Sequence, residues 1–315
     1  MYVEMSKDPQ RVVERPDKIV ISGASGMLGA ALRSRLSADG RSVLRLVRHA
    51  AAGPDELTWN PSASTAMEDP AALEGCSAAI HLSGASIAGH RWTKKYKRQL
   101  LSSRVDSTQA LSRLLAGLHR PPQTLVVASA VGIYGDRGDE LLDESSSAGV
   151  GFLADLCRRW EEAADPAREA GIRVTHARFG VVLGQESGAL EKMLPIFRLG
   201  LGGRLGSGGQ WISWVSLEDM ISAVLFVLAN PNVSGPVNVV APHPVKNIEF
   251  TRALAHQLGR PAAIPAPAFA LRLVLGQMAQ DALLSSAAVH PRKLLAAGFQ
   301  FAHPTVEDAL AAALG

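Results

Sequence analysis

The stretch Lys18-Ile-Val-Ile-Ser-Gly-Ala-Ser-Gly-Met-Leu-Gly29 decides the fold of this chain. It begins with a short apolar run typical of a β-strand, and an amphipathic helical pattern follows it as far as Gly40. Between them, glycines allow backbone amides at a helix N-terminus to approach the diphosphate of a dinucleotide. We therefore predict a cofactor-binding turn, with a tight turn without a ligand as the alternative. The residues predicted to line it are Gly23, Ser25, Gly26, Met27, Leu28 and Gly29.

Downstream of this turn, short apolar runs alternate with helical patterns. Strands are predicted at 42–47, 78–82, 124–128 and 173–177. One long helix is predicted from after Thr93 to beyond Leu115, with an apolar face that should lie on the sheet. Alternation of this kind is typical of a parallel sheet with right-handed crossovers. The predicted fold class is α/β, a Rossmann-type doubly wound parallel sheet with a smaller C-terminal lobe on the substrate side.

The pattern changes after Gly184, where a helix, a glycine-rich stretch and the segment Trp211–Val215 follow. A later apolar run at 236–240 is predicted to return to the sheet as a strand. The predicted organisation has a flexible extension at 1–17, a cofactor-binding domain at 18–184 and a substrate-side lobe at 185–315.

The end of the second strand indicates which dinucleotide is bound. No acid stands where NAD-binding proteins place one to bind the ribose 2′-hydroxyl; the strand ends instead with Val47 and Arg48. A charged hydrogen bond from an arginine to the 2′-phosphate contributes about 1.5–3 kcal/mol. We therefore predict NADP(H) as the cofactor, held in part by Val47 and Arg48. An exposed surface arginine is the alternative for Arg48.

The strand that begins at Ala78 ends with small residues that let the backbone approach the cofactor. Leu82, Ser83 and Gly84 are predicted to contact the adenosine ribose and diphosphate, with a plain turn as the alternative. His81 precedes them inside the strand. A core or hydrogen-bonded histidine is expected there rather than a catalytic one.

Composition excludes several functional classes. The chain has 315 residues, 32 basic and 29 acidic residues and a net charge of +3, with no broad basic stripe, so nucleic-acid binding is not predicted. Two cysteines are too few for a disulfide framework or a multi-cysteine metal site, and no metal ligands are predicted. No apolar run reaches the ~20 residues that span a bilayer. We expect a cytoplasmic protein without a membrane partner.

Several further motifs make the resemblance of this chain specific. They are Ser103-Arg104-Val-Asp-Ser-Thr108, Trp160-Glu161, Gly180-Val-Val-Leu-Gly184, Phe197-Arg-Leu-Gly-Leu-Gly-Gly203, Gly206-Ser-Gly-Gly-Gln210, Pro291-Arg-Lys-Leu-Leu-Ala-Ala-Gly-Phe299 and His303-Pro-Thr305. With the glycine turn, they resemble the atypical epimerase-like members of the extended short-chain dehydrogenase/reductases that carry a C-terminal extension, here 261–315. The resemblance implies that Gln99, Arg104 and Val182 also contact NADP(H).

The residues that working members of this superfamily use for catalysis are missing. Those enzymes pair a tyrosine with a lysine four residues later, beside a serine or threonine. Placing the Trp160-Glu161 helix against that pattern puts Leu153 at the tyrosine position and Cys157 at the lysine position. In the strand-end motif that begins at Ser129, Ala130 stands at the serine or threonine position, one step after Ser129. Ile212 stands where sugar-nucleotide enzymes carry an arginine that binds diphosphate, which disfavours a nucleotide-sugar substrate. No catalytic residue can be assigned from the sequence.

Polar residues after the strands could still reach the cleft. Tyr134 is the first candidate for a replacement proton donor, although its hydroxyl could equally fix the turn. Asp136, Arg137 and His90 are further candidates. Trp211 and Trp214 are expected either to wall an apolar pocket or to form core, and Cys157 is expected to pack as a small hydrophobe rather than to react.

Two hypotheses of different class remain. The first is an NADP(H)-dependent oxidoreductase or isomerase that acts on a small, rather apolar substrate by a non-standard arrangement of acid and base. The second is a catalytically inactive NADP(H) sensor or interaction scaffold. The sequence identifies neither the substrate nor the oligomeric state, and a homodimer remains open.

Overall fold

A computed structural model describes residues 17–63, 65–185 and 188–315 of the chain. The extension predicted at 1–17 therefore lies outside the described residues, apart from Asp17. The β-strands are β1 Lys18–Ser22, β2 Ser42–Val47, β3 Glu56–Thr58, β4 Ala78–His81, β5 Thr124–Ala130, β6 Leu141–Leu142, β7 Arg173–Phe179, β8 Val181–Leu183, β9 Trp211–Ile212, β10 Trp214–Ser216, β11 Gly235–Val239, β12 Val245–Lys246 and β13 Ala288–Val289.

Seven of these strands form one parallel sheet in the order β3-β2-β1-β4-β5-β7-β11. The strand order reverses between β1 and β4. In open α/β sheets, ligands bind outside the carboxyl ends of the strands at such a point. The predicted α/β Rossmann-type fold is confirmed, and the apolar run predicted to return to the sheet does so as β11, one residue earlier than predicted.

Helices cover both faces of the sheet. They are α1 Met27–Ala38, α2 Lys94–Ser102, α3 Val105–Ala116, α4 Phe152–Glu162, α5 Asp165–Glu169, α6 Gly188–Arg198, α7 Leu217–Ala229, α8 Asn247–Leu258, α9 Ala268–Leu275, α10 Arg292–Ala296 and α11 Val306–Leu314. Helices α1 and α7 contact each other over one face, while α3, α4 and α5 pack together over the other. Within the described ranges, no helix has the length and apolar character needed to cross a bilayer.

The single helix predicted after Thr93 is wrong, because the chain breaks there into α2 and α3. Arg104 stands at the break with φ −112° and ψ −61°. The side chain of Thr93 caps α2 by accepting a hydrogen bond from the Tyr96 amide. The break turns the chain so that the Arg104 side chain points towards Gly84, at the carboxyl end of β4.

Two large clusters of buried side chains hold the molecule together. The first lies between the sheet and its helices. The second lies in the outer lobe, where α6, α8 and α11 surround the fully buried Trp214. Helix α7 and strand β11, which follow the predicted boundary at residue 184, pack into the first cluster. The division of the chain at 184 remains a prediction.

Two contacts in particular fasten the C-terminal segment to the rest of the chain. Strand β13 pairs in parallel with β6. At the start of α7, the buried carboxylate of Asp219 accepts hydrogen bonds from the backbone amides of Ala302 (2.7 Å) and His303 (3.0 Å). The His303 ring also lies 3.1 Å from the hydroxyl of Ser216, the N-cap residue of α7. We call this contact the Asp219 clasp.

Candidate cofactor and substrate site

The glycine turn between β1 and α1 has no room for side chains at two positions. Gly23 has a φ of +75°, and a Cβ placed on it would lie 2.8 Å from the carbonyl carbon of Leu82. A Cβ on Gly29 would lie 2.3 Å from the carbonyl oxygen of Gly23. Both distances are too short for real atoms, so glycine is required at 23 and 29 for the turn, α1 and the end of β4 to come together.

The N-terminus of α1 is open. Its N-cap residue is Gly26, and within the described part of the chain no side chain caps the helix and no acid stands in its first turn. Ser25 is exposed, and Met27 and Leu28 are half-buried at the beginning of the helix. Free backbone amides at a helix N-terminus favour a phosphate. The turn therefore fits the diphosphate of a dinucleotide.

Strand β2 places two arginines in contrasting surroundings. Arg45 forms ion pairs with Asp55 (2.7 Å) and Glu56 (3.0 Å). Arg48 follows the half-buried Val47 beyond the strand and is exposed, and no ion pair involves it among the residues that the structure describes. Its guanidinium is available to an anionic ligand at the carboxyl edge of the sheet.

The end of β4 lies beside the glycine turn, and the contacts of Leu82, Ser83 and Gly84 with the cofactor stay a prediction. The Leu82 amide donates to the carbonyl of Ser22, at the end of β1. His81 is fully buried, and its ring makes hydrogen bonds to Ser22 and Ser107. Burial lowers the pKa of His81 to about 3, so the ring is neutral and structural, as expected from the sequence.

Arg104 is a buried cation beside this strand end. A Cβ placed on Gly84 would lie 3.1 Å from the guanidinium carbon of Arg104. The same guanidinium stacks on Trp160, 5.0 Å from the centre of the ring. Its hydrogen bond to the Leu100 carbonyl is long, at 3.5 Å, and the described residues give it no carboxylate partner. Burial lowers the pKa of Arg104. A buried charge of this kind is costly without a counter-ion, so the site fits an anionic ligand.

The other two residues implied by the resemblance lie in different surroundings. Val182 is buried on β8, two residues before Gly184, whose missing Cβ would lie 2.9 Å from the sulfur of Met27. The structure thus brings this segment to the start of α1. Gln99 is exposed on α2, and its side chain makes no hydrogen bond with the described residues that would hold it towards the glycine turn.

The three positions where the superfamily carries its catalytic side chains hold apolar groups. Ala130 ends β5. Leu153 on α4 packs close to Gly132, since a Cβ placed on that glycine would lie 3.4 Å from the Leu153 Cβ. Cys157 follows one turn later and is buried. Burial, with a smaller effect of Glu161, raises its pKa to about 12, so the thiol remains protonated and packs as a hydrophobe, as expected.

The hypothesis that Tyr134 donates a proton in the cleft is wrong. Its side chain is fully buried, and its hydroxyl donates to Asn238 Oδ1 (2.7 Å) and accepts from Arg178 Nη1 (2.9 Å). Burial raises the pKa of Tyr134. The hydroxyl fixes the chain after β5 to β7 and β11, which was the alternative from the sequence.

A buried ion pair next to Tyr134 was missed in the sequence. Glu161 on α4 accepts two hydrogen bonds from Arg178 (2.8 and 2.9 Å) and one from the hydroxyl of Ser129 (2.7 Å). The signal was present, because an arginine inside an apolar strand needs a buried partner. This pair joins α4 to the carboxyl ends of β5 and β7.

A small pocket of about 180 Å³ opens beside Leu153. Its residues come from the turn after β5, the start of α4 and the π-helix Ala279–Leu283 of the C-terminal segment. They are Gly132, Gly135, Asp136, Val150, Leu153, Ala154, Gln280, Asp281 and Ser285. A larger depression of about 420 Å³ lies at the opposite edge of the sheet, near Lys18 and Ser42, away from the glycine turn.

The remaining polar candidates from the sequence are distributed unevenly around this pocket. Asp136 lines it, whereas Arg137 is paired with Glu140 (2.6 Å) and His90 is exposed against the edge of Tyr96. Trp214 is core and donates to the His243 carbonyl. Trp211, which donates to Asp139, does not line the pocket either.

Comparisons with known proteins agree with this geometry. The model of the NAD dependent epimerase/dehydratase family matches residues 19–241, and a domain of unknown function, DUF1731, matches residues 266–313. Epimerase family protein Mb2239 of Mycobacterium bovis is 46% identical over 292 residues, which cover 93% of this chain and 96% of that protein.

Two solved structures are also similar. The human epimerase family protein SDR39U1, solved with NADPH, is 33% identical with a TM-score of 0.85, and the match covers 94% of this chain and 98% of that one. The nucleoside-diphosphate sugar epimerase from Corynebacterium glutamicum is 34% identical with a TM-score of 0.77, over 96% of this chain and 59% of that one.

Proposed function

This chain belongs to the NAD dependent epimerase/dehydratase family, and we propose that it binds NADP(H) in preference to NAD(H) and uses it in an oxidoreductase or isomerase reaction on a small molecule. The observation that carries the cofactor preference is the exposed Arg48 at the end of β2, without an acid to take the ribose 2′-hydroxyl. The NADPH in the structure of the human relative supports the same choice.

Each cofactor-binding residue has a defined task in this proposal. The amides at the start of α1 hold the diphosphate, with Gly23 and Gly29 allowing the approach. Arg48 binds the 2′-phosphate. Arg104 contacts either a phosphate, which is the anion that its burial requires, or a ribose hydroxyl. When bound, the nicotinamide supplies hydride-transfer chemistry.

The apolar groups around Leu153 favour a reaction without the usual tyrosine and lysine. Leu153 and Ala130 are apolar and cannot transfer a proton. Any proton transfer must therefore use another residue of the pocket or a group of the substrate. The absence of an arginine at Ile212 argues against a nucleotide sugar as substrate.

The vacated catalytic positions also favour a second candidate function. With the hydroxyl of Tyr134 committed to Asn238 and Arg178, the chain could bind NADP(H) as a sensor or interaction scaffold without chemistry. The two functions share the same cofactor site. They differ in whether bound NADPH is ever consumed.

The first experiment is native mass spectrometry of the purified protein, followed by calorimetric titration with NADPH and NADH. Retained NADPH, or binding of NADPH at least tenfold tighter than NADH, is the expected result; binding of neither would overturn the proposal. NADPH oxidation is then followed by absorbance with a panel of small carbonyl compounds. Turnover of any of them favours the enzyme, and bound but unconsumed NADPH across the panel favours the sensor.

A further inference from the structure

The pocket beside Leu153 has a chemical character that limits what it can bind. Resting on the proposed function, we propose that it is the substrate site and that it takes a compact, non-anionic molecule with an apolar body and a hydroxyl or amino group. That group donates a hydrogen bond to Asp281, a residue of the C-terminal extension rather than of the cofactor-binding domain.

The position of the pocket connects it to the reaction. Leu153 forms one wall and Gly132, just beyond β5, forms another, so the pocket adjoins the positions that carry catalytic groups elsewhere in the superfamily. The opposite wall is the π-helix Ala279–Leu283. Such irregular helical turns occur frequently at functional sites.

The size of the pocket favours a small ligand with an apolar body. At about 180 Å³ it is smaller than the roughly 300–1,000 Å³ that is usual for ligand pockets. Val150, Leu153 and Ala154 give it one apolar side. A monocyclic compound is therefore the size of ligand that we propose for this pocket.

Asp281 is held in place at the polar side of the pocket. Its Oδ2 atom accepts a hydrogen bond from Gln277 Nε2 (3.1 Å), and the side-chain carbonyl of Gln277 in turn accepts one from Lys97 on α2. This Lys97–Gln277 contact also joins the extension to the cofactor-binding domain. The other carboxylate oxygen, Oδ1, has no hydrogen bond from the described residues and is free to accept one from a ligand.

The charges in the pocket determine which charge a ligand can carry. The lining residues include the carboxylates of Asp136 and Asp281 and no lysine, arginine or histidine. Neither carboxylate forms an ion pair within the part of the chain that the structure describes. A carboxylate or phosphate ligand would meet like charges there, whereas a hydroxyl or ammonium group would supply the missing donor.

The test uses three probes of nearly equal size: benzylamine, benzyl alcohol and benzoate. Each is titrated by ligand-observed NMR into the full-length protein, with and without NADPH. We expect benzylamine and benzyl alcohol to bind at millimolar concentration or better and benzoate to bind at least tenfold more weakly. Benzoate binding as tightly as benzylamine, or no binding of any probe, would overturn the proposal.

Three variants locate the binding in this pocket. Asp281→Asn should weaken benzylamine at least tenfold and benzyl alcohol by a smaller factor, while Leu153→Trp should fill the cavity and abolish both. Asp155→Asn, which removes an exposed carboxylate from the same helix as Leu153, should change neither. Thermal unfolding verifies that each variant is folded.

Two outcomes with the variants also overturn the proposal. Binding that survives Leu153→Trp in a folded protein would place the probes elsewhere, and binding insensitive to Asp281→Asn would remove Asp281 as the acceptor. The probes are also titrated without cofactor, so the two proposals fail separately. If NADPH does not bind, the proposed function is overturned, while the binding of the probes still tests the pocket.

Discussion

Arg45 on β2 and Arg48 just beyond its end, three residues apart, show how position decides the role of an arginine. Arg45 is committed to Asp55 and Glu56, and its loss would leave the buried carboxylate of Glu56 without its cation. Arg48 makes no such contact in the described chain and stands at the ligand-binding edge of the sheet. The position of the missing acid is fixed by the strand, so the sequence was enough to predict a 2′-phosphate role for Arg48, and that role stays a prediction.

Replacing Arg48 by alanine should weaken NADPH binding about 10- to 100-fold, since a charged hydrogen bond to a phosphate is worth about 1.5–3 kcal/mol. NADH lacks the 2′-phosphate, so its affinity should change by no more than about twofold, within the context-dependence of such contacts. Calorimetric titration of both cofactors measures this. Arg41→Ala, at the other end of the strand, is the control. Equal losses for both cofactors would contradict the assigned role.

His81 makes stability depend on pH. Its pKa is about 3 in the folded protein and near 6.5 in the unfolded chain, so the unfolded state binds more protons as the pH falls below 6.5. The folded state should therefore lose about 2 kcal/mol of stability from this group between pH 7 and pH 5. Urea unfolding at the two pH values measures the loss.

The comparison that isolates His81 is the variant His81→Asn, which cannot titrate. It should be less stable at pH 7, because the contacts with Ser22 and Ser107 are altered, but its stability should fall less between pH 7 and pH 5. A variant with the same pH dependence as the unchanged protein would show that His81 is not the group responsible.

Tyr134 marks the limit of prediction for single residues. The sequence placed it correctly after a strand, at the edge where ligands bind, but could not predict the direction of its side chain. That direction is set by partners on β7 and β11, 44 and 104 residues further along the chain. Such contacts leave no local pattern.

The elements themselves were predictable where the signal was local. The strand, glycine turn and helix at residues 18–38 were read correctly because spacing and glycine stereochemistry determine them together. The break between α2 and α3 was missed because both helices continue the same apolar periodicity across it. The two polar residues at the break, Ser103 and Arg104, alter one turn of backbone without interrupting the pattern.

The start of α7 carries a prediction about the C-terminal extension. In the Asp219 clasp, the two carboxylate oxygens of Asp219 accept hydrogen bonds from the amides of Ala302 and His303. Asp219→Asn replaces one of these oxygens with an NH2 group, so one buried amide loses its acceptor. The free energy of unfolding should fall by about 1–3 kcal/mol. Urea unfolding measures it, and limited proteolysis should show faster cleavage near residue 302.

The control for this variant is Glu218→Gln, the neighbouring position on α7, whose side chain is largely exposed and lies 3.9 Å from the His303 ring. Exposed pairs contribute about 0–1 kcal/mol, so its effect should be small. If Asp219→Asn and Glu218→Gln have the same stability and cleavage rate, the clasp does not fasten the extension.

At the scale of the whole molecule, the residues predicted to bind the cofactor could be placed together from the sequence, whereas the residues of the pocket beside Leu153 could not. The former follow strands whose order and direction obey general rules, so their convergence was foreseeable. The pocket combines the start of α4 with the π-helix more than 120 residues later. The sequence could not predict which residues would lie opposite Leu153, because that depends on how the C-terminal segment packs.

The order of the central sheet also has a consequence for synthesis on the ribosome. Strand β7 pairs with β11 on its outer side, yet β7 ends at Phe179 and β11 ends at Val239, so about 60 more residues must be added before β11 is complete. At 5–20 residues per second, the outer edge of β7 waits roughly 3–12 s for its partner. During that interval it could pair with a strand of another nascent chain. Two arginines within its seven residues make such pairing less favourable, because charged side chains on a strand oppose association between edges.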